Sequence, residues 1–444
     1  MKDDYRSIAD TLSRDIQSGR LRPGERLAPQ RIFAYERGIA PSTAERVYQE
    51  LGRRGLVIGE VGRGTFVRDG GAPADSALID LHVAPVNLEL VFPVLETHRS
   101  LFAASLAQLA SAPAFRNALG PVGASPPPGT QDIAARFLAR PEWAPSARQI
   151  LFTGNGKQAI AAALSAIAEP GSRLGVEALT YPVIKAVASQ LAVELVPIPM
   201  DSFGISVEAL EEVLRHSRPT GVYLQPSIQS PTGATMSVNR RKEVAEALRR
   251  HDVVAIEDGI YQFLVDEPPL AAFAPKHTIF IDSLSKRLAP GLALGVIASP
   301  DHLIDRIAAA IRRSVWMPGG LALSMGVGWM AEPALARIVA DKRRDARLRQ
   351  EVARAALKAF DPGGDKRAYH LWMPLPEHWR SEAFTAAALR RGVAVTPGSA
   401  FAVAAGHVPK AVRLALPAPT INNLKRALEG LAELAATSGE SVTE

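Results

Sequence analysis

Three short segments carry residues suited to one kind of chemistry. Ile279–Gly295 (IFIDSLSKRLAPGLALG) reads as a strand ending in Ser283-Leu284-Ser285, then Lys286, then a loop that closes on Gly295. A lysine at the carboxyl end of a strand can enter a cleft, lose its charge by desolvation and attack a carbonyl carbon. Val253–Phe263 (VVAIEDGIYQF) runs an apolar strand into Glu257-Asp258, with Tyr261 three residues on. A carboxylate there suits the ring nitrogen of a pyridine-type cofactor, keeping it protonated so that the ring draws electrons; a phenol suits a ring oxygen. Leu151–Ile160 (LFTGNGKQAI) is a strand entering a Gly-rich turn and a helix, and backbone N–H groups at a helix N-terminus bind phosphate. Together the segments supply an aldehyde trap, an electron-sink partner and a phosphate cradle. Plainer uses stand beside these: Lys286 on the surface, Asp258 as a helix N-cap, Tyr261 in the core.

The surrounding pattern predicts what holds them. Between Gln149 and Pro300 short apolar runs alternate with helical stretches. Strands are predicted at Ile150–Thr153, Arg173–Glu177, Val193–Ile198, Gly221–Gln225, Val253–Glu257, Thr278–Ser283 and Leu294–Ala298. Helices are predicted at Lys157–Ala168, Ser206–His216 and Asn239–His251. That alternation implies an α/β body on a mostly parallel sheet, with ligands at the carboxyl ends of the strands. Residues 301–360 read as helical throughout, and about 366–435 as a small α+β lobe. The run Asp341–Gln350 (DKRRDARLRQ) reads as a solvated helix face.

Residues 1–70 read as a separate unit. They hold 13 Lys+Arg and 10 Asp+Glu, a net of +3 out of the chain's +6. Ile8, Leu12 and Ile16 recur at spacing four, which predicts a helix over Tyr5–Ser18. Leu21–Leu27 turns on Pro-Gly, two short helices follow (Pro29–Arg37 and Ser42–Arg54), and Leu56–Val67 gives two strands around a Gly-Arg-Gly tip. This is a winged helix-turn-helix plan: the second helix of the pair lies in a major groove and the wing follows the phosphate backbone. Asp69 to about Ser76, DGGAPADS, has linker composition, and residues 71–80 are taken as the linker. The body takes residues 81–444.

The 444 residues are 47% hydrophobic and 22% charged, the balance of a multi-domain globular protein. With no Cys, disulfides, thiolate nucleophiles and thiolate metal sites are excluded, which fits a reducing cytoplasm. His82, His98, His370 and His407 have no metal-like spacing, so no metal is expected. No long uncharged apolar run predicts a membrane span, and the charged N-terminus has no signal-peptide pattern.

The head resembles the GntR family's DNA-binding domain over about residues 4–68, through PGERLAPQR, GIAPSTAERVYQEL and GRGTFV. The resemblance implies that Arg31 contacts DNA, that Ser42 and Thr43 open the recognition helix, and that Arg63, Gly64 and Thr65 form the wing tip. A surface salt bridge is the plainer use of Arg31. Pro41 stands where related sequences often carry a base-reading arginine.

The body resembles the class I/II aminotransferases over about residues 80–435, which implies pyridoxal 5′-phosphate as cofactor. By that resemblance Lys286 is the Schiff-base lysine, Asp258 the pyridine-nitrogen acid and Tyr261 the donor to the ring's O3′. Asn155, Gly156 and Lys157 take phosphate-loop positions, and Tyr181, in EALTYPV, stacks on the ring unless it serves as core. Ser230 opens SPTG, where the family motif is Asn-Pro-Thr-Gly, and Ser283 and Ser285 accompany Lys286 as cofactor-binding residues. Arg413, in VRLAL, matches the arginine that grips a substrate or effector carboxylate, with a structural ion pair as its plainer use. The family's phosphate arginine is Ala293 here, and Arg287 is the candidate substitute. Losing one such charged contact costs about 1.5–3 kcal/mol, a factor of about 10–150 in affinity.

A GntR-type head on an aminotransferase-like body is the plan of the MocR family of regulators. Resemblance to it implies a homodimer with exchanged heads, double-stranded DNA and a small amino-compound effector as partners. It also implies that the body senses pyridoxal phosphate, the effector, or both, through aldimine chemistry. The alternative is a working pyridoxal-phosphate-dependent aminotransferase carrying a GntR-type head. The changes at Ala293 and Ser230 favour sensing over turnover.

Overall fold

The structure is a computed structural model that describes residues 5–17, 20–21, 25–53, 56–60, 64–67, 84–113, 115–120, 126–404 and 408–437. The chain divides into two compact units, Met1–Leu81 with Ala402–Pro409, and His82–Phe401 with Lys410–Glu444.

The first unit holds helices α1 (Tyr5–Gln17), α2 (Gln30–Arg37) and α3 (Pro41–Arg53) and strands β1 (Val57–Glu60) and β2 (Gly64–Val67). Ile8, Leu12, Phe33, Val47 and Leu51 close its core. Gly38 ends α2 at φ 64°, a left-handed cap that glycine takes without strain. Pro41 is the first helical residue of α3, one position earlier than the sequence predicts. Its missing N–H costs nothing there, because the first turn's N–H groups have no helical partner. β1 and β2 pair antiparallel from Val57↔Val67 to Glu60↔Gly64, completing a winged helix.

The first α-helix of the body is α4 (Arg99–Ser111). Its sheet has seven strands: β3 (Ile150–Thr153), β4 (Arg173–Glu177), β5 (Glu194–Ile198), β6 (Gly221–Leu224), β7 (Val254–Asp258), β8 (Thr278–Ser283) and β9 (Gly295–Ala298). Their order is β3-β9-β8-β7-β6-β4-β5, and only β9 runs against the rest. One core cluster joins the sheet to helix Thr130–Leu138, and another joins it to helices Val207–His216 and Val238–His251. Because β3, β4, β6, β7 and β8 are parallel, Thr153, Glu177, Leu224, Asp258 and Ser283 arrive at one edge. Helix α5 (Gly156–Ile167) follows β3, and the single turn α6 (Leu284–Arg287) follows β8.

The long helix α7 (Ala334–Ala356) leads to the small lobe, in which β10 (His370–Pro374), β11 (Thr396–Pro397) and β12 (Ala411–Ala415) order as β10-β12-β11, all antiparallel, backed by α8 (Ile421–Ala436). Leu371, Met373, Val412 and Leu414 enter its core. The period of two then turns His370, Trp372 and Arg413 to the opposite face. The lobe also takes in Val86–Asn87, paired parallel with Val393–Ala394, a partnership between distant segments that local pattern does not predict.

The expected solvated face at Asp341–Gln350 is corrected: Lys342, Arg349 and Gln350 are buried. Lys342 donates to the carbonyls of Lys286 (3.0 Å) and Leu288 (2.6 Å). Arg349 donates to those of Leu416 and Pro419, both at 2.7 Å, and Gln350 to those of Ala368 (3.0 Å) and His370 (2.9 Å). Buried loop carbonyls need donors, and long polar side chains on a packed helix supply them. No described helix is long and apolar enough to cross a membrane.

Candidate functional site

Lys286 sits in α6, one turn beyond the end of β8. Ser283 caps that turn, its Oγ accepting from Ser285 N at 3.2 Å and donating to Leu294 O at 3.1 Å. The Lys286 Nζ donates to Val91 O at 2.8 Å and lies 4.4 Å from the Phe92 ring centroid and 5.1 Å from that of Tyr261. Desolvation, with Arg413 and Lys157 adding like charge against the pull of Asp258, lowers its pKa to about 7. A lysine so placed is a neutral amine much of the time near neutral pH, and a neutral amine is the nucleophilic form.

Asp258 ends β7, buried. Its Oδ2 accepts from Tyr223 Oη and Gln225 Nε2, both at 2.8 Å, and its Oδ1 from Ile260 N at 3.1 Å. Burial raises its pKa; these three donors and Lys286 oppose the rise. Oδ1 keeps a lone pair for a ring N–H. Neighbouring Glu257 points the other way and accepts from Leu270 N and Ala271 N. Behind Asp258, Glu177 is fully buried and desolvation pushes its pKa up to about 8; Gln225 N and Gln229 Nε2 donate to it. Tyr223, Gln225, Gln229 and Glu177 belong to this network but have no motif-like spacing; Glu177, Tyr223 and Gln225 come from strand ends and Gln229 from the loop after β6.

At the mouth of β3, Asn155 caps α5 by accepting from Gln158 N at 2.9 Å, which commits its side chain locally. A Cβ on Gly156 would lie 3.3 Å from Ser283 Cβ, so the α5 N-terminus packs directly against the start of the Lys286 turn. Lys157 is exposed beside it. Ser283, Ser285, Gly156 and Lys157 thus converge.

Arg413 is buried. It donates to Glu89 O (2.5 Å) and Thr396 Oγ1 (3.2 Å) from Nη2 and to Ser230 Oγ (3.3 Å) from Nη1, while its Nε has no partner. Phe401 lies under it, 5.0 Å from the guanidinium carbon. Ser230 therefore braces Arg413. His370 donates from Nε2 to Gln229 O (3.0 Å), its ring 5.4 Å from that of Tyr261. Burial and the cations Arg413 and Lys286 lower its pKa to about 3, so it stays neutral. Burial pushes the Tyr261 and Tyr181 phenols up, and Asp258 adds to both.

Arg287 is a correction. It is paired with buried Asp282, and its guanidinium lies between the rings of Phe137 (4.7 Å) and Phe263 (5.3 Å). Asp282 alternates with Ser283 along β8, so it faces away from the phosphate cradle and takes Arg287 with it. Arg287 does not replace the arginine missing at Ala293.

These residues fit pyridoxal phosphate on the structure's own terms. A depressed-pKa lysine, a buried acceptor carboxylate, a glycine-tight helix N-terminus and a buried arginine with an unpartnered N–H surround one strand-end edge. No cluster of metal-ligating side chains occurs among the described residues; His82 and His407 lie outside them.

In the head, Arg31 is exposed in the first turn of α2. Ser42, Arg46 and Gln49 share the exposed face of α3, and Thr43 is half-buried at its start. Tyr48 fixes α3 by donating to Ala28 O at 2.5 Å. Gly64, at φ 114°, opens β2, followed by Thr65; Arg63 lies outside the described residues. The Arg26 guanidinium lies over Gly64: Nε would be 2.7 Å from a Cβ placed there. Arg26 and Arg46 are exposed cations that sequence reasoning missed. The 42–46–49 spacing was the available signal for Arg46.

Comparison with known proteins matches residues 127–431 to aminotransferase class I and II and residues 4–67 to bacterial regulatory proteins of the gntR family. An uncharacterized HTH-type transcriptional regulator of Bacillus subtilis, YdeF, is 31% identical over 96% of this chain and 92% of its own. The vitamin B6 salvage pathway transcriptional repressor PtsJ of Salmonella typhimurium is 28% identical over 90% of this chain and 91% of its own. Among solved structures, the α-aminoadipate aminotransferase LysN of Thermus thermophilus, complexed with N-(5′-phosphopyridoxyl)-L-leucine, superposes with a TM-score of 0.74 at 22% identity, covering 81% of this chain and 94% of that one.

Proposed function

This chain belongs to the MocR-type regulators, which join a GntR-type DNA-binding head to an aminotransferase class I/II body, and on that premise we propose that the body holds pyridoxal phosphate at Lys286 and reports it, or an amino-compound effector, to the head. The observation that carries the reading is the desolvated Lys286 amine beside the buried, triply hydrogen-bonded Asp258. Bound there, pyridoxal phosphate supplies an electrophilic carbonyl carbon and an electron-withdrawing ring.

The chain's own residues do the rest. Lys286 presents a neutral amine. Asp258 holds a proton on the ring nitrogen through Oδ1. Tyr261, kept protonated by burial, donates to the ring oxygen, and Tyr181 flanks the ring. Gly156, Lys157, Ser283 and Ser285 hold the phosphate, with Asn155 shaping the turn. Arg413 grips the effector's carboxylate, and Ser230 holds Arg413. Arg31, Ser42, Thr43, Arg63, Gly64 and Thr65 contact DNA, which places the work in the cytoplasm. We assign residues 1–70 to the head, 71–80 to the linker and 81–444 to the body, with the small lobe at about 366–435. A homodimer is supported by α4, an apolar helix none of whose residues is fully buried in one chain, near exposed Val94, Leu119 and Leu321.

Titration with pyridoxal phosphate, followed by absorbance, tests this. A visible band that depends on Lys286 is expected. A borohydride-reducible band persisting in Lys286→Ala sinks the lysine assignment. The intact set Lys286, Asp258, Tyr261 and Arg413 favours a second reading, aminotransferase turnover. Steady release of 2-oxo acid from an amino acid would establish it; a spectral shift without product supports sensing.

A further inference from the structure

The segment Ala84–Leu95 crosses the small lobe and reaches the site. Val86 N donates to Gly392 O at 3.0 Å and Leu88 N to Ala394 O at 2.8 Å, while Leu88 O accepts from Ala415 N at 2.8 Å. Asn87 Oδ1 then accepts from Glu89 N (2.9 Å) and Leu90 N (3.2 Å), tightening a turn. That turn aims two carbonyls at two basic side chains of the site: Glu89 O takes Arg413 Nη2 at 2.5 Å, and Val91 O takes Lys286 Nζ at 2.8 Å. Phe92 covers Nζ. The same segment is where the chain coming from the head enters the body.

We infer that this segment is a strap whose two anchors are released separately, the Val91 anchor by the cofactor and the Glu89 anchor by an effector carboxylate, and that its release is what DNA binding senses. The inference rests on the cofactor reading above. The chemistry of Arg413 decides the second anchor. A carboxylate bound bidentately uses Nη2 together with either Nε or Nη1. Both Nη2 hydrogens are already given, to Glu89 O and Thr396 Oγ1. The Thr396 hydroxyl can rotate and donate to the incoming carboxylate. The Glu89 carbonyl has no proton to give and must withdraw. The effector class follows: an amino compound that replaces Lys286 at the cofactor's carbonyl carbon would return Nζ as a free amine able to bond Val91 O again, so a carboxylate releases the Glu89 anchor and an amine without one releases neither. A ligand shifts the head only as far as it prefers one strap state, so the amine without a carboxylate shifts it least.

Hydrogen exchange of the full-length protein, read by mass spectrometry over the 84–95 peptide, tests this. The probes are pyridoxal phosphate, N-phosphopyridoxyl-L-alanine and N-phosphopyridoxyl-ethylamine, the last two differing only by a carboxylate. Pyridoxal phosphate should speed exchange of the Val86–Leu90 amides about tenfold, the weight of one charge-assisted hydrogen bond. The alanine adduct should exceed the ethylamine adduct by about tenfold. A visible cofactor band with unchanged strap exchange overturns the strap and leaves the cofactor reading standing. No band overturns that reading, and the strap with it. Asn87→Ala loosens the turn directly: its strap should exchange fast without ligand, and its DNA affinity should no longer respond to pyridoxal phosphate. A full response in Asn87→Ala refutes the coupling.

Discussion

At the scale of single residues, the site depends on where protons sit. With its pKa near 7, Lys286 is mostly protonated and unreactive below that pH and mostly free amine above it. The rate at which the pyridoxal phosphate band appears should therefore climb through pH 7 and level off by about pH 8, being about tenfold slower at pH 6. Stopped-flow absorbance across that range checks the sign; a rate that falls with pH contradicts the placement of the lysine. Arg287 gives the opposite kind of expectation. Replacing it with Ala strands buried Asp282 as an unpaired charge, a loss of about 3–5 kcal/mol. Denaturant unfolding should show that loss while cofactor affinity, measured by titration of the folded protein, stays within about twofold of the parent.

At the scale of elements, the sequence was most legible where short-range chemistry dictates structure. The strands Ile150–Thr153 and Thr278–Ser283 and the turn after each follow from apolar runs meeting Gly and Ser, and both stand as expected. The positions of Lys286 and Asp258 were legible for the same reason, since Asp258 ends its strand and Lys286 lies in the turn just beyond its own. Arg287 was not: which side of a turn a neighbour takes depends on partners such as Asp282, Phe137 and Phe263, which come from other segments. Lys342 misled because a charged helix run looks solvated until the carbonyls it must satisfy are known. Lys342→Met should free the main chain of α6. The expected result is a cofactor band that still forms but titrates over a shifted pH range; Lys342→Arg should recover part of the shift. Asn155→Ala removes the α5 cap and should cost about 0.5–2 kcal/mol in chemical denaturation.

At the scale of the whole molecule, two surfaces carry the expectations. Arg31→Ala should weaken DNA binding and reduce the salt slope by about one. Fluorescence anisotropy at several salt concentrations reads both, and an unchanged slope removes Arg31 from the phosphate contacts. Leu106, exposed on α4, should be covered in a dimer. Leu106→Glu should then shift sedimentation toward monomer; a parent protein that sediments as a monomer at the same concentration refutes the dimer instead.

The long helix α7 sets a limit on how that body can move. Lys342 holds the loop that carries Lys286, and Gln350, eight residues on, holds the strand that carries His370. Eight residues of helix fix that separation at about 12 Å. Neither lobe can slide along the helix without breaking bonds at one end. α7 is thus a gauge rod, setting the spacing between the turn that carries Lys286 and the strand that carries His370.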